Sequence, residues 1–221
     1  QLYLKLQEEG ESPDQLTFLL LFQACGILEN KEKFDDVNEF THISGCMLLD
    51  VIYALHADAQ KKGIHLDRFV CTTLINIYGR FGNLLGAECV FKSFVECSTV
   101  TWNAMLTGYV DHGYEHEALI LFGQMINHGF VLNAIIFVVV LRACCKPDMI
   151  QYGYLIHMLI IEGGPLDEFV GSALINLYVK CAKLDDAYCT FYKFSERNLA
   201  SWSSMIEGYT EHGCETKAIA L

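Results

Sequence analysis

The chain has 221 residues, of which 52% are hydrophobic and 19% are charged, and its formal net charge is −12 at pH 7. This composition supplies enough apolar material for a packed core and excludes an intrinsically disordered chain. The longest apolar run, residues 134–141, is far shorter than the roughly 20 residues of a membrane-spanning helix, so no membrane partner is expected. The acidic balance also counts against a nucleic-acid partner, because phosphate neutralisation normally supplies most of the affinity.

Internal repetition is the main feature of the sequence. Residues 66–121 and 166–221 are identical at 23 of 56 aligned positions without a gap. A fixed period of this kind is typical of stacked supersecondary units. Only three prolines interrupt the chain, so long helices are possible almost throughout.

The segment 99–133 shows the repeating unit most clearly, because it contains two helical patterns in succession. In the first, apolar residues between 102 and 109 lie at i, i+3, i+4 and i+7, which is one stripe of a helix. We expect Thr101 to cap the start of this helix and Gly113 to follow its end. The second pattern covers residues 118–125. The segment is therefore predicted to be a helical hairpin.

The same pattern divides the whole chain into seven segments. In chain order they are 1–14, 15–67, 68–98, 99–133, 134–167, 168–198 and 199–221. The chain begins inside one hairpin and ends inside another, so we expect it to be a fragment of a longer protein.

The segment 15–67 is longer than its later counterpart, 134–167. The excess lies near residues 29–46, which are polar, acidic and without helical periodicity. This composition predicts a solvated loop between the two helices of one hairpin. A misjoined gene model and a functional acidic insert are the alternatives.

The motifs of these segments resemble the pentatricopeptide repeat. W-N-x-M-x-x-G-Y-x-x-x-G is followed by E-A-L-x-L-F-x-x-M-x-x-x-G, and F-V-x-x-A-L-I-N-L-Y-x-K-C and L-R-A-C-C alternate with them. This alternation is similar to the plant organellar subgroup, in which standard (P), long (L) and short (S) units cycle. The related tetratricopeptide repeat has a W-x-x-L-G-x-x-Y spacing that this sequence lacks.

The resemblance implies an all-α fold, a right-handed superhelical solenoid of stacked helix-turn-helix repeats. The chain would be a single array with no separate domains. Its seven segments would be, in chain order, the end of a P unit, an L unit carrying the insert, an S unit, a P unit, an L unit, an S unit and an incomplete P unit.

The resemblance also implies binding of single-stranded RNA, one base to each repeat. In similar proteins the fifth and the last residue of a unit choose the base. These pairs are Thr72 with Ser98 for a purine, Asn103 with Asn133 for a pyrimidine, and Ser172 with Asn198 for adenine. The second residue of a unit would stack on the base, and these residues are Phe69, Val100, Ile135 and Phe169. Basic residues late in the first helix would meet phosphate, and these are Arg80, Lys146 and Lys180.

Helix capping is the alternative for the polar positions. Asn and Ser early in a helix, and Asp14, Asp67 and Asp167 before one, are all ordinary capping residues. The recurrence of these side chains at one phase of successive units favours RNA contact.

The ten cysteines form no C-x-x-C pair, so no metal site is expected. The helical spacing of Cys25, Cys89, Cys144 and Cys189 among apolar residues predicts that these four are buried.

No catalytic constellation is present, and the zinc deaminase signature is absent. We therefore expect a protein that is not an enzyme and that has neither a cofactor nor a small-molecule substrate. The resemblance implies a mitochondrial or chloroplast location, a role in RNA processing or C-to-U editing, and editing-factor proteins as further partners. The competing interpretation is a protein-interaction scaffold of the tetratricopeptide type that does not bind RNA.

Overall fold

The computed structural model describes residues 2–10, 12–34, 40–63, 68–94, 98–164, 167–193 and 198–221. Within these ranges the chain is helical and contains no β-strand. The helices are α1 (Leu2–Glu8), α2 (Gln15–Phe34), α3 (Phe40–Lys61), α4 (Arg68–Arg80), α5 (Leu84–Ser93), α6 (Thr99–Asp111), α7 (Glu115–Asn127), α8 (Ala134–Ala143), α9 (Ile150–Gly163), α10 (Glu168–Lys180), α11 (Leu184–Lys193), α12 (Leu199–Glu211) and α13 (Glu215–Ala220). No helix of the described part is long and apolar enough to span a bilayer. The predicted all-α class is confirmed.

The helices pair as hairpins along the chain. From segment 15–67 onward, the first residue of each predicted segment is also the first residue of a helix, namely α2, α4, α6, α8, α10 or α12. A second helix follows each of these before the next segment begins. We refer to the two as the first and second helix of a repeat. The assignment of the repeats to P, L and S types stays a prediction.

The hairpins form two compact bodies, an N-terminal body of residues 1–108 and a C-terminal body of residues 109–221. In the N-terminal body α4 packs against α2 and α5, and in the C-terminal body α10 packs against α8, α11 and α12. The apolar stripe of α10 explains its central place, because Val170, Leu174, Ile175 and Tyr178 are each at most 2% exposed. Helices α4 and α10 are thus each buried by their own second helix and by at least one neighbouring first helix.

The turns inside two hairpins depend on glycine. Gly113 and Gly213 follow α6 and α12 with φ of 76° and 68°, in the left-handed region that favours glycine. The prediction that Gly113 follows the end of α6 is therefore confirmed. The predicted cap at Thr101 is wrong, because α6 begins at Thr99 and the Ser98 hydroxyl accepts a hydrogen bond from the Thr101 backbone N–H at 3.3 Å. Thr101 is the third residue of the helix, whose N–H a capping side chain satisfies.

The predicted loop near residues 29–46 is wrong for most of its length. Helix α2 continues to Phe34 and α3 begins at Phe40, so residues 29–34 and 40–46 are helical. Residues 35–39 lie outside the described residues. A helix can extend into polar sequence because each added residue contributes its own backbone hydrogen bond.

The cysteine prediction is confirmed at two of its four positions. Cys25 and Cys144 are buried, at 7% and 0% exposure, whereas Cys89 and Cys189 are exposed. In α5 the inward face is taken by Val90, the residue after Cys89, which is 2% exposed. One step along a helix rotates a side chain by about 100°, so Cys89 turns away from that face.

A histidine–tyrosine contact joins a second helix to the next first helix in each body. His56 Nδ1 lies 3.0 Å from Tyr78 Oη, and His157 Nδ1 lies 2.7 Å from Tyr178 Oη. Burial lowers the pKa of both histidines and raises the pKa of both tyrosines. Beside His157, the Lys193 ammonium lowers the histidine pKa further, while the Asp186 carboxylate acts in the opposite direction.

These histidines predict a loss of stability in mild acid. A histidine whose pKa is lowered by folding binds a proton more readily in the unfolded chain, so the free energy of unfolding should fall as the pH drops below about 6.5. Urea unfolding of the wild type and His157→Gln at pH about 7.5 and about 5.5 would test this. The variant should lose less stability between the two pH values, because glutamine does not titrate. Equal losses in both proteins would contradict the prediction.

Candidate RNA interface

The second residue of each first helix is an exposed apolar side chain. In the N-terminal body Phe69 is 59% exposed and Val100 is 63% exposed, and in the C-terminal body Ile135 is 59% and Phe169 is 64% exposed. Leu16 was not predicted as a stacking residue, but it is also 59% exposed and also the second residue of a first helix. The preceding Asp14 cap was the signal that could have found it. Apolar side chains kept in water at one repeated position offer a surface on which a flat base can stack.

Wherever the structure describes it, the last residue of a repeat caps the first helix of the next one. The Asn133 side-chain oxygen accepts from the Ile136 N–H at 3.0 Å, and that of Asn198 accepts from the Ser201 N–H at 2.9 Å. Asp14 and Asp167 cap α2 and α10 in the same way, whereas Asp67 lies outside the described residues. The alternative prediction, that these residues cap helices, is therefore confirmed. Capping also fixes the amide oxygens of both asparagines toward the helix, leaving the amide nitrogens as the donors for another group.

The fifth and the last residue of segment 168–198 meet directly. Ser172 Oγ lies 2.9 Å from the Asn198 side-chain oxygen and 2.7 Å from the Glu168 carbonyl oxygen. The Ser201 hydroxyl lies 3.0 Å from the same Asn198 oxygen. This oxygen is held by several donors, so the Asn198 side chain has one fixed orientation. The serine and the asparagine form a single polar patch at the start of α12.

In segment 68–98 the corresponding residues are bridged rather than in direct contact. Thr72 Oγ1 lies 2.9 Å from Thr101 Oγ1, which in turn lies 3.0 Å from Ser98 Oγ. Thr101 is fully buried. The fifth and last residues thus belong to one hydroxyl chain, in which Thr101 occupies the middle.

Asn103, the fifth residue of segment 99–133, differs from Thr72 and Ser172. Its side-chain oxygen is buried and accepts no hydrogen bond from the described part of the chain. A buried acceptor without a donor costs about 1–3 kcal/mol. The Asn103 amide is therefore less strongly fixed by its surroundings than the hydroxyl groups at the same position of segments 68–98 and 168–198.

The predicted phosphate-binding residues lie near the ends of first helices, with one exception. Arg80 and Lys180 are the last residues of α4 and α10, and the Arg80 guanidinium lies over Gly26, where an added Cβ would be 3.6 Å from it. The placement of Lys146 late in a first helix is wrong. Helix α8 ends at Ala143, and Lys146 precedes the 3-10 helix Pro147–Met149, because the following proline cannot continue the helix.

Acidic side chains form ion pairs with two of the three predicted phosphate-binding residues. Lys146 Nζ lies 2.8 Å from the Glu115 carboxylate, and Lys180 Nζ lies 3.5 Å from Glu211. Sequence reasoning missed Arg142, which pairs with Asp111. Its place in the L-R-A-C-C motif carries no charge pattern that would have identified it. Among the described residues, no group of three or more His, Cys, Asp or Glu side chains could hold a metal ion.

The stacked hairpins and the repeated positions on them define a helical-repeat protein. Residues 98–146 match the PPR repeat family, and residues 69–98 and 200–221 match the PPR repeat. A pentatricopeptide repeat-containing protein of Arabidopsis thaliana is 31% identical over the whole chain, which spans 30% of that relative. A chloroplastic one is 33% identical over 76% of this chain and 24% of its own length, and others are named mitochondrial.

The fold agrees with this match. The crystal structure of the maize pentatricopeptide repeat protein PPR10 superposes with a TM-score of 0.67 at 15% identity, covering 98% of this chain and 34% of that one. PPR10 in complex with an 18-nt psaJ RNA element gives a TM-score of 0.66 at 21% identity over 99% and 36%. The chain belongs to the pentatricopeptide repeat family, and it spans about a third of the length of two relatives that it matches along its whole length.

Proposed function

We propose that this chain binds single-stranded RNA in a sequence-selective manner, with one base to each repeat. The observation that carries the proposal is the combination, in segments 68–98, 99–133 and 168–198, of an exposed apolar second residue with polar fifth and last residues. Phe169, Ser172 and Asn198 are the most complete example. PPR10, which shares the fold, has been solved in complex with RNA.

Each repeat would recognise one base through two kinds of contact. The exposed side chain would pack against the base face, where stacking contributes about 1–3 kcal/mol with little dependence on sequence. The polar pair would then meet the base edge. As the family resemblance implies, Ser172 with Asn198 would take adenine, Asn103 with Asn133 a pyrimidine, and Thr72 with Ser98 a purine.

The phosphate contribution should be small. Arg80, Lys146 and Lys180 are few, and RNA must displace the carboxylates that pair with Lys146 and Lys180 before these ammonium groups can meet phosphate. Three contacts predict a shallow salt dependence, with a slope on the order of −0.7 per contact for a single strand. Base contacts, rather than charge, would then dominate the affinity.

The cellular role follows from the relatives. Their mitochondrial and chloroplastic names support an organellar location for this chain. RNA processing or C-to-U editing is the purpose that the family resemblance implies. Editing-factor proteins would be additional partners. No catalytic function is proposed for these 221 residues.

A protein-interaction scaffold is the second candidate. The observation in its favour is the charge, because a net −12 with basic residues held in ion pairs suits a basic protein better than a polyanion. An absence of binding to any member of a randomised single-stranded RNA pool would support the scaffold over the RNA reader.

The base assignment is tested by Asn103→Thr. This change should move the preference at one nucleotide from a pyrimidine toward a purine, because Thr72 provides the same hydroxyl in segment 68–98. The expected change in discrimination is about 1–3 kcal/mol at most. Binding is measured by fluorescence anisotropy against RNAs that differ at a single position.

Arg80→Ala is the control for the base assignment. This variant should weaken the binding of all these RNAs by the same factor, because phosphate contacts carry no sequence information. The adenine chosen by Ser172 and Asn198 should stay unchanged in both variants. If Asn103→Thr weakens every RNA equally, Asn103 has a structural role and does not read a base.

A further inference from the structure

An apolar groove lies on the second helices of two consecutive repeats. It has a volume of about 290 Å³ and runs between α7 and α9, both in the C-terminal body. Ile120 lies on one side, Leu155 and Leu159 lie on the other, and the His116 and Tyr152 rings meet edge-to-face across it at 6.4 Å. The RNA-reading positions are on first helices, so this surface is separate from the proposed RNA interface.

Helix α9 is apolar on both of its faces. Ile156 and Ile160 point into the hairpin and are at most 3% exposed, whereas Leu155 is 63%, Met158 is 53% and Tyr152 is 43% exposed. A surface helix of a folded protein normally turns polar residues to water, and a helix that is apolar all round is normally buried. The outer face of α9 is therefore suited to contact with another apolar surface.

A glycine opens the groove on the α7 side. Gly123 lines it within the body of α7, and a Cβ built there would meet nothing within 4 Å. Glycine in a helix costs about 1 kcal/mol relative to alanine, and neither a turn nor close packing accounts for it here. Its effect is to leave room for an incoming side chain.

The charges around the groove indicate the kind of occupant. Neither α7 nor α9 contains Lys or Arg, and Glu117 and Glu162 are exposed on them. The nearby Lys146 is in an ion pair with Glu115. An acidic rim repels nucleic acid, an anionic membrane and a second copy of a chain with net charge −12. It attracts a basic protein segment.

We infer that this groove binds a helix of a partner protein that carries an apolar stripe flanked by Lys or Arg. Lining residues at i and i+3 on α7, and at i, i+3 and i+7 on α9, form ridges between which a third helix can lay its apolar face. The open space at Gly123 receives one side chain of that helix. The basic flanks then lie near Glu117 and Glu162.

The test uses the whole 221-residue chain and two synthetic probes. One probe is a fluorescein-labelled helical peptide of about 18 residues with a Leu stripe flanked by Lys, and the other has Glu in place of each Lys. Fluorescence anisotropy should show binding of the Lys peptide and at least about tenfold weaker binding of the Glu peptide. Equal binding of both peptides would contradict the charge argument.

Matched variants show whether the groove is the binding site. Leu155→Ser and Gly123→Leu should each weaken binding of the Lys peptide by about tenfold. The first removes an apolar side chain that lines the groove, and the second fills the open space. Ile161→Ser is the control, since Ile161 is a similarly exposed residue of α9 (57%) that does not line the groove. Equal weakening by Leu155→Ser and Ile161→Ser would overturn the proposal, as would unchanged binding by Gly123→Leu at an unchanged melting temperature.

Two further outcomes would also overturn it. A wild-type dimer in sedimentation that Leu155→Ser converts to a monomer would make a second copy of this chain the occupant. Binding to anionic vesicles that Leu155→Ser abolishes would make a membrane surface, and not a protein helix, the ligand of the groove. RNA binding by the same variants is measured in parallel, and because their substitutions lie on second helices, it should be unchanged whether or not the peptide binds.

Discussion

Trp102→Ala should lower the free energy of unfolding by about 3–5 kcal/mol. The indole is only 6% exposed, and it packs edge-to-face against Phe91 with the ring centroids 4.9 Å apart. Phe91 belongs to α5 and Trp102 to α6, so the ring pair joins the second helix of one repeat to the first helix of the next. Removing the indole leaves a cavity at this junction that the surrounding helices can only partly fill.

Urea unfolding followed by circular dichroism measures this loss, and two variants provide the comparison. Trp202→Ala removes the equivalent ring, which packs against Phe191 at 4.8 Å but is only half-buried, so its effect should be smaller. Phe69→Ala removes an aromatic ring that is 59% exposed and should change stability by less than about 1 kcal/mol. If Trp102→Ala unfolds like the wild type, the ring does not hold the two repeats together.

The positions of the first helices could be predicted from the sequence because two signals coincide at each start. A capping residue such as Asn133 or Asn198 precedes an apolar stripe of helical period, and both features are local. The structure places α8 and α12 at the residue after each of these asparagines. Gly113 was equally predictable, since a left-handed residue, usually glycine, commonly follows the end of a helix.

Features that depend on more distant residues were not predictable. The ion pairs of Lys146 with Glu115 and of Lys180 with Glu211 join residues 31 positions apart. At such a separation the sequence alone does not show which side chains meet. The extension of α2 to Phe34 was not predicted because an amphipathic pattern was the criterion for a helix, and the sequence of residues 29–34 shows none.

The candidate site was predictable as a set of positions and not as a set of contacts. The second residues follow from repeat phase alone, and the structure shows that Phe69 and Phe169 are exposed; their contact with a base stays a prediction. The bridge between Thr72 and Ser98 depends on Thr101, a residue that the sequence suggested as a cap. Which polar atoms meet depends on how closely neighbouring first helices approach, and that distance is a property of packing.

The distance between α10 and α12 is set by a glycine, Gly208. Gly208→Ala should destabilise the C-terminal body by about 1–3 kcal/mol. A Cβ on Gly208 would lie 2.7 Å from both methyl carbons of Val179. A branched valine in a helix has essentially one rotamer, so the helices themselves must move apart. Gly123→Ala is the matched control. Its Cβ meets nothing within 4 Å, and it should stabilise by about 0.5–1 kcal/mol through helix propensity.

The N-terminal body suggests the compensating change. One period earlier the position of Val179 is occupied by Gly79, and an added Cβ on Gly79 or Gly108 would lie 3.3 Å from the other's Cα. Val179→Ala should therefore restore much of the stability lost in Gly208→Ala when urea unfolding of the double variant is measured. Ser172 lies on α10 and Asn198 caps α12, so a wider separation should also break their hydrogen bond and weaken selection of adenine at that repeat. Loss of stability without rescue by Val179→Ala would show that Gly208 is needed for another reason, such as the backbone conformation of α12.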